Sequence, residues 1–203
     1  MKTSIYQACI NDYKRLTHNN PDPWIEDCKE MNLEKAIRYA ARARTKLWKK
    51  HPHQARRTRA ELVGFAQSLS AYKTAIERTT SFQGLIRIAT LARVKGIGPL
   101  TIYDTCTRIA ANLGVEVDRI YLHAGTRVGA ERILGERLNV PYILKTDLPP
   151  AFQRADLDCG EIEDILCIYK DDFIGLGARL RSLCGNRKHV KPLCGNKPVR
   201  RAC

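Results

Sequence analysis

No stretch of this sequence approaches eighteen consecutive apolar residues, so no membrane-spanning helix and no membrane partner are expected. The opening run, MKTSIYQACINDYKRL, turns polar before a signal-peptide core forms. That points to an intracellular protein, cytoplasmic or nucleoid-associated, with reduced thiols. There is no C-x-x-C pair, no phosphate-cradling P-loop and no serine nucleophile elbow. No motif gathers acids with histidines at metal-ligand spacing, and nothing requires a cofactor. These absences favour a binding protein over an enzyme. Strand alternation is also missing from the first eighty residues. The expected fold is therefore mainly α: one helical domain over residues 1–182, followed by a basic cysteine-containing tail over 183–203.

Acid is scarce as well. Against 35 Lys and Arg stand 21 Asp and Glu, a net charge of +14. Such an excess calls for an anionic partner, with DNA first, RNA second, and an acidic protein as the alternative. The charge is not evenly spread. From Leu33 to Arg59 there are ten basic side chains and one acid, Glu34. The tail from Arg179 to Cys203 has eight basic residues and no acid. Without these two stretches the remainder is net −3. Single-sign charge at this density repels itself, and a polyanion would neutralise it. A solvated helix face is the plainer alternative.

Spacing supplies the helices. Residues 3–17 place Ile5, Tyr6, Cys9, Ile10, Tyr13 and Leu16 on one side, before Asn19-Asn20-Pro21-Asp22-Pro23 breaks the run. Leu33 to about Lys50 predicts a helix with Leu33, Ile37, Ala40, Ala41, Leu47 and Trp48 inward. Arg38, Arg42, Lys46 and Lys49 lie on its outer face as candidate nucleic-acid contacts. Glu61 to Arg78 predicts another helix, and Thr79-Thr80-Ser81 an N-cap for the next. A final helix from Cys159 runs through Ile162, Ile165, Leu166, Tyr169 and Phe173 to Leu176 and Leu180. The seven acids between Asp156 and Asp172 suit the start of that helix better than a metal. Leu148-Pro149-Pro150 marks a loop or hinge.

The centre of the chain is Arg93 to Gly114. Lys95-Gly96-Ile97-Gly98-Pro99 is a glycine turn between two segments of helical spacing. Two glycines permit backbone angles that other residues reach with strain, and Pro99 suits a helix start. This stretch resembles the helix-hairpin-helix motif of DNA repair and replication proteins, over about 25–30 of 203 residues. The resemblance implies that Lys95, Gly96, Ile97, Gly98 and the helix start, including Thr101, hold a phosphate of the DNA backbone. An αα-hairpin that binds nothing is the alternative.

Downstream, Ala124, Gly125, Gly129 and Ala130 allow close backbone approach to a helix or a ligand, beside His123, Thr126 and Arg127. His123 reads as a core histidine, and Arg127 as a neighbour of the hairpin on the same phosphate backbone. The chain is more weakly similar to base-excision DNA glycosylases that carry this hairpin. In them a catalytic aspartate follows the second glycine by about twenty residues, and Val117-Asp118 stands twenty positions beyond Gly98. That resemblance implies Asp118 as catalytic carboxylate, while a helix cap is the plainer role. The lysine that bifunctional members carry is absent, because Pro99, Leu100 and Thr101 stand there.

Cys9, Cys28, Cys106, Cys159 and Cys167 are scattered and read as small core residues. Cys184, His189 and Cys194, with Cys203, copy part of a zinc-knuckle spacing, but the usual C-x2-C start is missing. A basic tail without metal is preferred.

Overall fold

The computed structural model describes residues 4–44 and 50–174. The described chain is mainly helical and forms two compact units, one from residues before Pro21 and after Asp118, the other Pro21–Asp118. Among the described residues no helix is long and apolar enough to cross a membrane.

The Pro21–Asp118 unit holds α2 (Pro23–Lys29), α3 (Leu33–Arg42), α4 (Arg59–Ser70), α5 (Lys73–Glu77), α6 (Phe82–Leu91) and α7 (Pro99–Leu113). Local chemistry sets most of the starts. Asp22, Asn32 and Ser81 each accept a hydrogen bond from a first-turn amide of α2, α3 and α6. Thr58 and Glu61 form a reciprocal capping box at α4. The longest helix of the unit, α7, packs against α2, α3 and α6 and is buried nearly all round. Ile37, Phe65, Phe82, Leu85, Ile102 and Ile109 fill the core around it. A helix so enclosed must pair its polar side chains internally, and α7 buries four: Thr101, Asp104, Thr105 and Arg108.

The helix expected to reach Lys50 stops at Arg42. Ala43 turns into the left-handed region at φ 51°, Arg44 bridges antiparallel to Lys50, and the His51 amide returns to the Ala43 carbonyl at 2.8 Å. Alanine favours helix, so tertiary pairing overrides propensity here. Leu47 and Trp48 lie outside the described residues. The helix expected over 61–78 is two helices. Ser70 turns its hydroxyl back to the Ala66 carbonyl at 2.7 Å, and the amides of Ala71 and Tyr72 close tight three-residue turns before α5 begins.

The other unit holds α1 (Ile5–Asn19), β1 (Ile120–Tyr121), α8 (Ala124–Leu134), β2 (Tyr142–Ile143) and α9 (Cys159–Ile168). The two strands pair antiparallel, Ile120 opposite Ile143 and Tyr121 opposite Tyr142. Neither was marked by alternation, although 141–144 reads as briefly extended. Lys145–Asp147, Pro150–Phe152 and Lys170–Phe173 are 3-10 turns, so the proline-rich 148–150 stretch is structured, with Leu148 buried. The final helix ends at Ile168, short of the expected run; Leu176 and Leu180 lie outside the described residues.

Acids at 158 and 161 do what the helix start asks of them: Asp158 and Glu161 form a capping box on α9. The small residues of α8 accommodate a helix. A Cβ on Gly129 would stand 2.1 Å from the Leu166 carbonyl oxygen, and one on Gly125 would stand 2.5 Å from Cys167 Sγ. Close approach is thus to α9, not to a ligand.

Candidate nucleic-acid interface

The glycine turn sits between α6 and α7. Ile97 closes it by donating its amide to the Val94 carbonyl at 3.2 Å, and the Ile97 side chain is buried as an anchor. Gly96 is at φ +90°, where a side chain is strained. Gly98 is not: at φ −99°, ψ 174° it has ordinary extended backbone, which corrects the expectation that both glycines serve unusual angles. A Cβ on Gly98 would meet nothing within 4 Å. The fold makes no demand for glycine there.

Gly98 is nevertheless the N-cap of α7, the position where Ser, Thr, Asp or Asn would accept a hydrogen bond from the helix start. With no side chain to do so, the amides of Leu100 and Thr101 have no acceptor among the described residues. These N–H groups carry the partial positive charge of a fifteen-residue helix. The Thr101 side chain is buried, so Thr101 offers its amide rather than its hydroxyl.

The end of the basic stretch reaches this turn. Arg57 donates from its guanidinium to the Gly96 carbonyl. Lys50 donates to the carbonyls of Ala55 and Arg57 at 3.3 and 2.6 Å, pinning the segment that precedes α4. Arg93, Lys95, Arg56 and Arg59 are exposed, with no ion pair among the described residues. Residues 21–118 carry seventeen basic and ten acidic side chains, +7, whereas 1–20 with 119–174 carry ten and eleven. One acid stands close: the Glu61 carboxylate lies where a Cβ on Gly96 would reach, within 2.0 Å. Its hydrogen bonds from Thr58 lower its pKa, so it is ionised. An anion would therefore meet repulsion on the Gly96 side and open space on the Gly98 side.

Other expected contacts are placed differently. Arg38 pairs with Glu34 along α3, and Arg42 is exposed at the helix end. Lys46 and Lys49 lie outside the described residues, as do Cys184, His189, Cys194 and Cys203. Arg127, in the other unit, commits its guanidinium to the carbonyls of Leu122, Leu138 and Val140, the last two at the loop before β2. Asp118 is exposed in the extended segment after α7; β1 follows it, so it caps no helix. His123 is the N-cap residue of α8, half-buried with its Nε2 enclosed, and does not cap through its side chain.

Sequence reasoning missed two things. Arg57 and Glu61 meet Gly96 from thirty-nine and thirty-five residues away, which no local pattern signals. The second is a buried polar cluster against α7. His53 Nδ1 lies 2.9 Å from Asp104 Oδ2, and Gln54 Nε2 donates to the same oxygen at 2.6 Å. Arg108 donates to the Ala40 carbonyl at 3.1 Å and approaches Gln54 Oε1 at 3.5 Å. Burial alone would raise the Asp104 carboxyl, but the His53 hydrogen bond and the Arg108 charge outweigh it and hold the pKa near 2. Burial, with Arg108 adding, pushes His51 down to about 3, so its imidazole is neutral. The H-P-H triplet at 51–53 was the available signal.

Comparison with known proteins finds no match to this chain among family models, curated proteins or solved structures.

Proposed function

We propose that this chain binds duplex DNA without reading its sequence, by holding a backbone phosphate at the start of α7. The observation that carries the reading is the start of α7 itself. It is uncapped, it is fronted by a glycine that the fold does not need, and Arg57 of the basic stretch bonds to the turn that leads into it. A phosphate oxygen at that position would supply the acceptor that Leu100 and Thr101 lack, and Lys95 would add a full charge within the same turn. Contacts of this type fix a duplex in place and carry little sequence information. Arg56, Arg59 and Arg93 then supply long-range attraction.

Fluorescence anisotropy with labelled duplexes of unrelated sequence tests it, alongside single-stranded DNA and RNA. The expected result is similar affinity for every duplex, weakened by Lys95→Glu. Failure to bind any duplex at low salt, with an acidic protein co-purifying instead, would replace DNA with a protein partner.

A further inference from the structure

The polar cluster against α7 has a composition that the interface does not use. His51 and His53 flank Pro52 at the start of the Pro52–Gln54 turn, and one donor atom from each of His51, His53 and Asp104 of α7 lies within 4.8 Å of the others. Two nitrogens and one carboxylate oxygen, converging from two separate parts of the chain, form a ligand set for a borderline divalent ion. We propose that His51, His53 and Asp104 bind one divalent transition-metal ion of the zinc class, which ties the 51–54 turn to α7.

The distances suit such an ion after a small adjustment. Zinc–nitrogen and zinc–oxygen bonds are about 2.0–2.2 Å, which puts neighbouring tetrahedral ligands roughly 3.4 Å apart. His53 and Asp104, at 2.9 Å, need to open slightly, and a separation of up to 4.8 Å needs to close by up to about 1.4 Å. An ion on His53 Nδ1 requires the hydrogen between that nitrogen and Asp104 Oδ2 to leave: a neutral ring carries its N–H on Nε2 instead, and an imidazolium releases one proton to solvent.

Neighbouring side chains hold two of these groups in place. Gln54 Nε2, donating to Asp104, orients the carboxylate as outer partners of metal ligands do. Trp24 stacks edge-on against the His51 ring at 4.8 Å and fixes its plane. The Trp24 indole N–H is itself buried without a hydrogen-bond partner. Entry is through His53, whose side chain is 26% exposed, against 10% for Asp104.

Charge is the main obstacle and decides how tight the site is. Arg108 is buried beside the cluster and opposes a cation. Asp22, which caps α2, is a second carboxyl near Arg108 and Asp104, but burial raises its pKa and works against a second negative charge there. The Asp104 carboxylate then faces one guanidinium, that of Arg108, across the cluster. A hydrogen-bonded network that takes no ion is the competing account of the same atoms.

The test uses the full chain, stripped with a chelator and titrated with zinc chloride and with cobalt chloride. The expected result is one ion per chain whose cobalt spectrum has nitrogen–oxygen ligation and no thiolate charge-transfer band. This distinguishes the cluster from cysteines elsewhere in the chain. Binding should raise the melting temperature of the wild type, and His53→Ala should bind at least about tenfold more weakly with no such rise. His53 is partly exposed, so that variant should fold; Asp104→Asn, checked for folding by circular dichroism, provides a second reading. No ion bound, a spectrum dominated by thiolate, or His53→Ala binding as tightly as wild type would each overturn the proposal.

Discussion

Arg57 donates a hydrogen bond to the carbonyl oxygen of Gly96, joining the basic stretch before α4 to the turn before α7. The bond orients the Gly96 peptide and brings a second positive charge to the turn. Arg57→Ala should lower stability by about 1–2 kcal/mol in urea denaturation, as expected for loss of a charge-assisted bond at a half-exposed site. Duplex affinity should fall further than in Arg56→Ala, since Arg56 is exposed and contributes only its charge.

The two glycines of the turn should separate fold from function. Gly96→Ala places a side chain at φ +90° and against Glu61, so it should cost roughly 1–3 kcal/mol. Gly98→Ala meets no atom within 4 Å and has ordinary backbone angles, so its stability should stay within about 0.5 kcal/mol of wild type. If a phosphate approaches there, Gly98→Ala weakens duplex binding although the fold is intact. Thermal melts and anisotropy on the same samples check both halves.

Glu61 stands against the turn at Gly96, and glutamine preserves its place in the capping box. Glu61→Gln should leave the melting temperature nearly unchanged and strengthen duplex binding about two- to threefold at low salt, the scale of one exposed charge pair. Anisotropy at matched salt measures it; weaker binding would mean that the carboxylate helps rather than hinders.

Burial pushes the Cys28 thiol up to about 12 and the Cys167 thiol up to about 11, from an ordinary value of 9.0. A raised thiol pKa means less thiolate at any pH below it, hence slower alkylation. In the native protein, iodoacetamide labelling at both positions should climb about tenfold per pH unit from 7 to 9 without levelling. In denaturant the same peptides should react faster and begin to level near pH 9. Peptide mass spectrometry reads both rates. Native labelling as fast as in denaturant would mean that neither thiol is held in its buried state.

The sequence made the helices legible where local rules governed them. Phe82 to Leu91, Pro99 to Leu113 with Gly114 as its left-handed stop, and the Asp158–Glu161 box follow from spacing and capping. It misled where distant contacts override propensity. Ala43 reverses the chain although alanine favours helix, and the Ser70–Tyr72 break depends on a hydroxyl turned back on its own helix. The small residues at 125 and 129 signalled close approach correctly, but only the position of α9 decides what approaches. The glycine turn and its basic neighbours were visible as separate features; their contact through Arg57 and Gly96 was not. His51 and Asp104 are fifty-three residues apart, and no local pattern joins them.

The central claim is electrostatic phosphate binding at the start of α7, and a salt series on one duplex tests it most directly. Affinity of the wild type should fall linearly on a log–log plot of binding constant against salt, with a slope near −0.9 for each phosphate neutralised. Lys95→Glu combined with Gly98→Val should bind markedly more weakly at low salt and with a flatter slope. Wild-type binding that ignores salt, or full affinity surviving in the double variant, would contradict the account.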